Sequence, residues 1–312
     1  MAKAIREAYG EALVKYGRDN PDVVVLDADV SGSTRSALFQ AACPERFFNV
    51  GVAEANMAGM AAGFASVGKI PFINTFTAFL TTIGLLQARI YGSYSGLNMK
   101  FMGAYGGFSS AYDGPSHHAF EDIAVMRALP NFRVYVASDE IQTDWLVKHA
   151  IESKGPMYIR LARDVFPSIY EPGVKLEDGK GKILRDGNDV TIITCGIMAG
   201  FALEAAKILT SEGIDARVID MFTIKPLDAD LLLESARSTG AIVTAEEHSI
   251  IGGLGGAVSE ALALGQANVP VGFVGLADCY GECGSYKELL SKYKLDIPAI
   301  VAKVRETVAK KR

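Results

Sequence analysis

Short β-branched runs alternate along the chain with longer segments in which apolar residues return every three or four positions. Residues 23–26, 47–50, 70–73, 99–102, 133–136 and 157–161 carry the strand pattern. The spacing predicts helices over residues 5–16, 54–65, 79–94, 120–129 and 140–151. Strands and helices that take turns in this way predict a mainly parallel sheet with helices on both faces. Ligands of such sheets gather beyond the carboxyl ends of the strands, so the residues just after each strand are where chemistry is sought.

The pattern lapses over residues 164–188, DVFPSIYEPGVKLEDGKGKILRDGN, a stretch with two Pro, several Gly and mixed charge that reads as a connection. A second α/β series follows, with strands predicted over 190–194, 216–220 and 241–245 and helices over 199–209, 229–236, 255–264 and 297–311. The organisation expected is two doubly wound α/β domains, residues 1–165 and 187–312, joined by a linker over 166–186.

Composition narrows the partners. The 312 residues are 49% apolar and 21% charged, the balance of a folded soluble chain of about two domains. A net charge of −5 leaves no positive excess for a nucleic-acid backbone. The most apolar stretches are interrupted well short of the ~20 residues that span a bilayer. Lys3, Arg6, Glu7 and Glu11 rule out the apolar core of a secretory signal, and a cytoplasmic protein is expected. Of Cys43, Cys195, Cys279 and Cys283 only the last two lie close together, and C-x3-C without further ligands reads as ordinary reduced thiols, with no metal site.

Several residues stand where chemistry is expected. Glu54, in NVGVAEANMAGMAAGFA, opens a helix just after a strand; it reads either as a first-turn acid favoured by the helix terminus or as a functional carboxylate. Phe76 and Phe79, in NTFTAF, follow the next strand and form either a core pair or an aromatic platform. In YDGPSHHAFE the Asp-Gly-Pro turn places Asp113, His117 and His118 on a loop, as hydrogen-bonding or acid–base groups or as passengers of a helix capped by Ser116. Arg6, Ser33 in DADVSGST and Arg163 at a strand end suit the grip of a phosphate or carboxylate, or are surface partners.

Taken in order, these motifs resemble the transketolase family of thiamine-diphosphate enzymes. The resemblance runs through REAYGEAL, LDADVSGST, NVGVAEANMAGMAAGFA, PFINTFTAF, DGPSHHAFEDIAVMRALPN and MYIRLAR, then TCGIMAGFALEAAKIL, DMFTIKPLD and AEEHSIIGGLGGAV. It implies a pyrimidine-binding domain followed by a transketolase C-terminal domain. The family's pyrophosphate-binding domain, with its Gly-Asp-Gly signature, has no counterpart here, and five residues precede Arg6. A split enzyme is therefore expected, in which an N-terminal transketolase subunit supplies the diphosphate grip and the Mg²⁺ ligands. A homodimeric core of this chain within a heterotetramer is expected with it.

By the same resemblance, Glu54 bonds the aminopyrimidine ring of thiamine diphosphate, Phe76 stacks on it with Phe79 beside it, and Asp29 lies close to the cofactor. Asp113 and His117 contact sugar hydroxyls, while Arg6, Ser33 and Arg163 hold a distal phosphate. The implied reaction is transfer of a two-carbon ketol unit from a ketose to an aldose, with Glu54 and His117 as the catalytic pair. In FMGAYGG, Tyr105 stands where the family usually has a histidine near that phosphate, which leaves the sugar's terminal group open. Competing readings are a 2-oxo acid dehydrogenase β subunit, a deoxyxylulose phosphate synthase relative and a non-catalytic subunit. The first lacks a DGPSH-type loop with a matching Arg163, and the second usually has an Arg near GAYGG. Intact Glu54, Phe76 and His117 oppose the third.

Overall fold

Val23–Asp27 (β1) is buried along its whole length, which suits only a strand covered on both faces. The side chains alternate as a strand requires: Val23 and Val25 enter one apolar core, Val24 and Leu26 the other. The computed structural model describes residues 2–311. Its strands continue with Phe47–Asn49 (β2), Ile70–Phe76 (β3), Lys100–Ala104 (β4), Arg133–Val136 (β5) and Met157–Leu161 (β6). The second half contributes Lys182–Arg185 (β7), Val190–Thr194 (β8), Ala216–Asp220 (β9), Thr223–Lys225 (β10), Ile242–Ser249 (β11) and Val271–Leu276 (β12).

These strands form two sheets, ordered β10-β5-β6-β4-β3-β1-β2 and β12-β11-β8-β9-β7. Every pairing is parallel except β10 with β5 and β7 with β9, so both units are the mainly parallel, two-faced sheets expected. The chain leaves β1 toward β2 on one side and returns to β3 on the other, which opens a crevice at the carboxyl ends of β1 and β3.

The helices of the first unit are Ile5–Gly17 (α1), Ser31–Thr34 (α2), Ala37–Ala42 (α3), Glu54–Ser66 (α4), Thr77–Thr82 (α5), Leu85–Gln87 (α6), Asp122–Ala128 (α7) and Glu140–Glu152 (α8). Those of the second are Met198–Ser211 (α9), Ala229–Thr239 (α10), Leu254–Leu264 (α11), Tyr286–Lys292 (α12) and Ile297–Val308 (α13). One core takes side chains from α1, α8, α9 and α13 and the other from α4, α7, α10 and α11, so each runs through both sheets. Among the described residues no helix is long and apolar enough to cross a membrane.

Local chemistry explains where the structure departs from the sequence pattern. The single helix expected over 79–94 is three pieces, α5, α6 and a π turn over Ala88–Tyr94. The Thr81 and Thr82 hydroxyls donate to the carbonyls of Thr77 and Ala78 at 2.9 and 2.6 Å, and Gly84 packs so tightly that a Cβ would stand 2.7 Å from Leu80 O. β7 lies inside the stretch read as linker; it is a half-exposed edge strand with little apolar pattern. β10, β12 and α12 were also absent from the pattern, and β10 is three residues that pair only with the distant β5.

β10 leaves the second unit to complete the first sheet, and Asp220 anchors that crossing. Its carboxylate accepts from Ser138 Oγ at 3.0 Å, Gln142 Nε2 at 3.0 Å and Tyr170 OH at 2.7 Å, joining β9, the end of β5, α8 and the connection. Complete burial outweighs these donors and pushes the Asp220 carboxyl up to about 7. The native form therefore binds the proton more readily than an unfolded aspartate, whose pKa is about 3.9. Its contribution to stability is full below about pH 4 and is lost as pH rises through about 7. The stability difference between the native chain and Asp220→Asn is expected to shrink by a few kcal/mol from about pH 4.5 to pH 8. Urea unfolding at the two ends of the range measures it, and a constant difference contradicts the assignment.

Candidate active site

The crevice is shaped first by Asp27, at the end of β1. Its buried carboxylate accepts from Val30 N–H at 2.6 Å, Thr34 Oγ1 at 2.8 Å and Ser36 Oγ at 2.8 Å, although burial pushes its pKa up. These bonds fold residues 28–36 into a tight turn carrying two of the expected site residues. Asp29 sits there in left-handed backbone, φ 65°, with an exposed side chain that accepts from Asn49 Nδ2 at 2.8 Å. Ser33 follows on α2, half-buried, and its carbonyl lies 3.5 Å from Arg6 Nη1. Asp27 escaped the sequence reading; its signal was an acid followed by hydroxyls at 34 and 36.

Glu54 enters from the other side of the switch, as the first residue of α4 beyond a turn in which Gly51 has φ 73°. The residue is 4% exposed. Its one side-chain partner among the described residues is Thr75 Oγ1, at 3.5 Å, on the neighbouring β3. That bond is at the limit of hydrogen-bonding distance, so the carboxylate keeps the capacity to accept from a ligand N–H delivered into the crevice.

Four aromatic rings line the crevice beyond β3 and β4. Phe76 lies 6.2 Å from Phe79, 4.9 Å from Tyr105 and 5.8 Å from His117 between ring centroids, and His117 is 5.0 Å from Phe79. Tyr105 has φ 62°, backbone that turns its ring back over the crevice between two cations. The guanidinium carbons of Arg6 and Arg163 stand 5.6 and 5.4 Å from its centroid, and Arg6 Nη1 donates to Tyr105 OH at 2.5 Å. Neither arginine has a carboxylate partner among the described residues, while Arg6 Nε is buried without an acceptor. Paired cations left without an anion fit an anionic ligand group.

Arg6, Ser33, Phe76, Phe79, His117 and Arg163 thus converge on Tyr105, directly or through one neighbour. Glu54 and Asp29 flank them. Asp113 does not join by contact; it is exposed on the same loop as His117, at the end of a 3₁₀ turn over Ala111–Asp113. The two histidines have separate roles. His117 is half-buried, with Nδ1 3.0 Å from Ser116 Oγ and the rest of its ring in the aromatic cluster. His118 is buried, donates from Nε2 to Ala111 O at 3.1 Å and is held neutral by burial, which pushes its pKa down. Ser116 does not cap α7: the helix begins only at Asp122, its N-cap residue Glu121 makes no capping bond, and the side chain that accepts from its first turn is His248, whose Nε2 lies 3.4 Å from Ala124 N.

Val52, Ile83, Leu86 and Tyr94 are 78%, 50%, 62% and 87% exposed. Their apolar surface is therefore not spent on the chain's own core. The cysteines are all free, Cys43 and Cys195 buried, Cys279 and Cys283 exposed.

Comparison with known proteins meets this geometry. Residues 1–168 match the pyrimidine binding domain of transketolase and residues 179–300 the transketolase C-terminal domain. A solved structure described as "Split gene transketolase, inactive beta4 tetramer" superposes with a TM-score of 0.91 at 49% identity, with 100% of both chains covered. The 6-deoxy-6-sulfo-D-fructose transketolase subunit SqwH of Clostridium sp. (strain MSTE9) is 39% identical over 307 residues, 98% of this chain and 95% of that protein. The transketolase of Homo sapiens is 38% identical over 311 residues, 98% of this chain but 49% of its own length. The family depends on thiamine diphosphate. Motifs, fold and relatives agree that this chain belongs to the transketolase family and carries the pyrimidine-binding and C-terminal domains, as the split-gene members do.

Proposed function

We propose that this chain is the C-terminal subunit of a two-chain transketolase that moves a two-carbon ketol unit from a ketose to an aldose. The observation that carries the reading is the convergence, at one sheet switch, of an under-satisfied buried carboxylate, a group of aromatic rings and two arginines without an anion. Thiamine diphosphate, when bound, supplies the thiazolium carbon at which the sugar carbon–carbon bond is broken and remade.

The chain's own residues bind and orient. Glu54 takes the hydrogen bond of the aminopyrimidine ring, which satisfies its carboxylate and fixes the ring's tautomer. Phe76 and Phe79 offer the apolar faces on which that ring rests, and Asp29 lies at the same edge. His117, held by Ser116 and the aromatic cluster, exchanges a proton with sugar hydroxyls, assisted by Asp113 from the same loop. Arg6, Ser33 and Arg163 hold the anionic end of the sugar. The Tyr105 hydroxyl, which accepts from Arg6, keeps its own proton to donate to that anion.

The diphosphate grip and Mg²⁺ ligands are assigned to an N-terminal partner chain, docked with a second copy of this chain as a heterotetramer in the cytoplasm. Supporting this are the exposed apolar side chains of Val52, Ile83, Leu86 and Tyr94 and the coverage of about half the human enzyme. A phosphate is the terminal group proposed. The Clostridium relative is named for a sulfo sugar, so a sulfonate is the comparison to run.

Reconstitution tests the reading: this chain, the partner chain, thiamine diphosphate and Mg²⁺ are expected to transfer two carbons from ketose to aldose phosphate. Either chain alone should not, and activity from this chain by itself overturns the account. Glu54→Gln is expected to lower kcat by about 10²–10⁴-fold with an unchanged melting temperature. Arg163→Ala is expected to raise the KM for anionic sugars by about ten- to hundredfold, the loss of one charge-assisted hydrogen bond, while neutral sugars are unaffected. Steady-state kinetics on a matched pair of charged and neutral sugars reads this directly.

A further inference from the structure

The loop that carries Asp113 and His117 is tied at its neck and held there by the second domain. Gly107 N donates to Ala119 O at 2.9 Å, and Ala119 N to Gly107 O at 3.2 Å. β11 meets this neck: Ser249 N donates to Phe120 O at 2.9 Å, and Glu247 Oε1 accepts from Phe108 N–H at 2.7 Å. Arg160, on β6, spans the junction by donating through Nη2 to Ala119 O at 3.0 Å and Glu247 O at 2.8 Å. A Cβ on Gly107, whose φ is 64°, would stand 2.2 Å from Glu247 Cδ, and one on Gly106 would stand 2.1 Å from Arg160 Nε. The glycine pair that ends FMGAYGG is thus what leaves these two side chains their space.

A second strap from the same domain lies along the loop. Gly281 packs on Phe108 and His118, so that a Cβ there would meet their rings at 2.4 and 2.9 Å. Cys283 Sγ lies 2.5 Å from where a Cβ on Gly114 would be. The Phe108 ring, 5.0 Å from His118 and 4.4 Å from Phe120, is the hub between neck and strap.

We propose that Glu247 is a positioning residue: by holding the Phe108 amide it sets the loop over 107–119, and thereby places His117 and Asp113 against the sugar. This rests on the proposed role of those two residues. The competing role for Glu247 is to balance the buried charge of Arg160. The two roles differ in what they require, since positioning needs an acceptor at the full reach of the side chain whereas charge balance needs only a carboxylate.

Two variants of the reconstituted complex separate them. Glu247→Asp keeps the charge but withdraws the acceptor by one methylene, and Glu247→Gln keeps reach and acceptor but removes the charge. Positioning predicts that the Asp variant raises the KM for the ketose about tenfold and speeds amide exchange across residues 107–119 by a similar factor, the worth of one buried hydrogen bond. Thiamine diphosphate affinity and exchange in α4 should stay at the wild-type level, and the Gln variant should lie within about threefold of wild type in both readouts. Tenfold impairment of the Gln variant, or an Asp variant with unmoved KM or unmoved loop exchange, overturns the proposal. Absence of ketol transfer in the wild-type complex would instead sink the functional reading, while the exchange series would still decide whether Glu247 holds the loop.

Discussion

Arg160 is buried with its charge intact, and much of the molecule is arranged to permit that. Burial opposes the charge, but Asp122 and Glu247 more than offset it and hold the guanidinium above its ordinary pKa. Its Nε lies 3.0 Å from Asp122 Oδ2, which also accepts from Tyr158 OH at 2.6 Å. Its Nη2 donates to Ala119 O of the first domain and to Glu247 O of the second. A buried charge is tolerable only when paired, so the two domains and the 107–119 loop are held in an arrangement that brings Asp122 and two backbone carbonyls to Arg160.

That constraint reaches the crevice through short links. The neck of the loop is the edge of the Arg160 cluster, and its outer part carries His117 into the group formed by Phe76, Phe79 and Tyr105. On the opposite side of the switch Asp27 shapes the turn that bears Asp29 and Ser33. Two buried acids of similar design, Asp27 and Glu247, thus each fold a loop by accepting backbone N–H, and neither is itself offered to a ligand. Glu54, with one long hydrogen bond, and Arg6 and Arg163, with no carboxylate partner among the described residues, stand at the space between.

Much of this was legible in the chain. Continuous apolar runs such as 23–26 and 157–161 mark strands buried on both faces, and they became β1 and β6 with little change at the ends. The elements missed were those whose residues carry little period of their own. β7 is an edge strand with two of four side chains charged, and β10 exists only because β5 lies beside it. The helix expected over 79–94 broke where threonine hydroxyls and Gly84 compete with the helical backbone, an effect that apolar periodicity does not register.

Read alone, the sequence determined which residues stand just beyond strands, since the alternation of short and long periods places Glu54, Phe76, His117 and Arg163 after particular runs. Only the tertiary structure decided which of them meet. Arg6 bonds Tyr105 across 99 positions and Phe108 meets Glu247 across 139, and such pairings depend on strand order and on how the two sheets lie together. Periodicity is a property of neighbours along the chain, whereas convergence is set by packing between segments that the chain order leaves far apart.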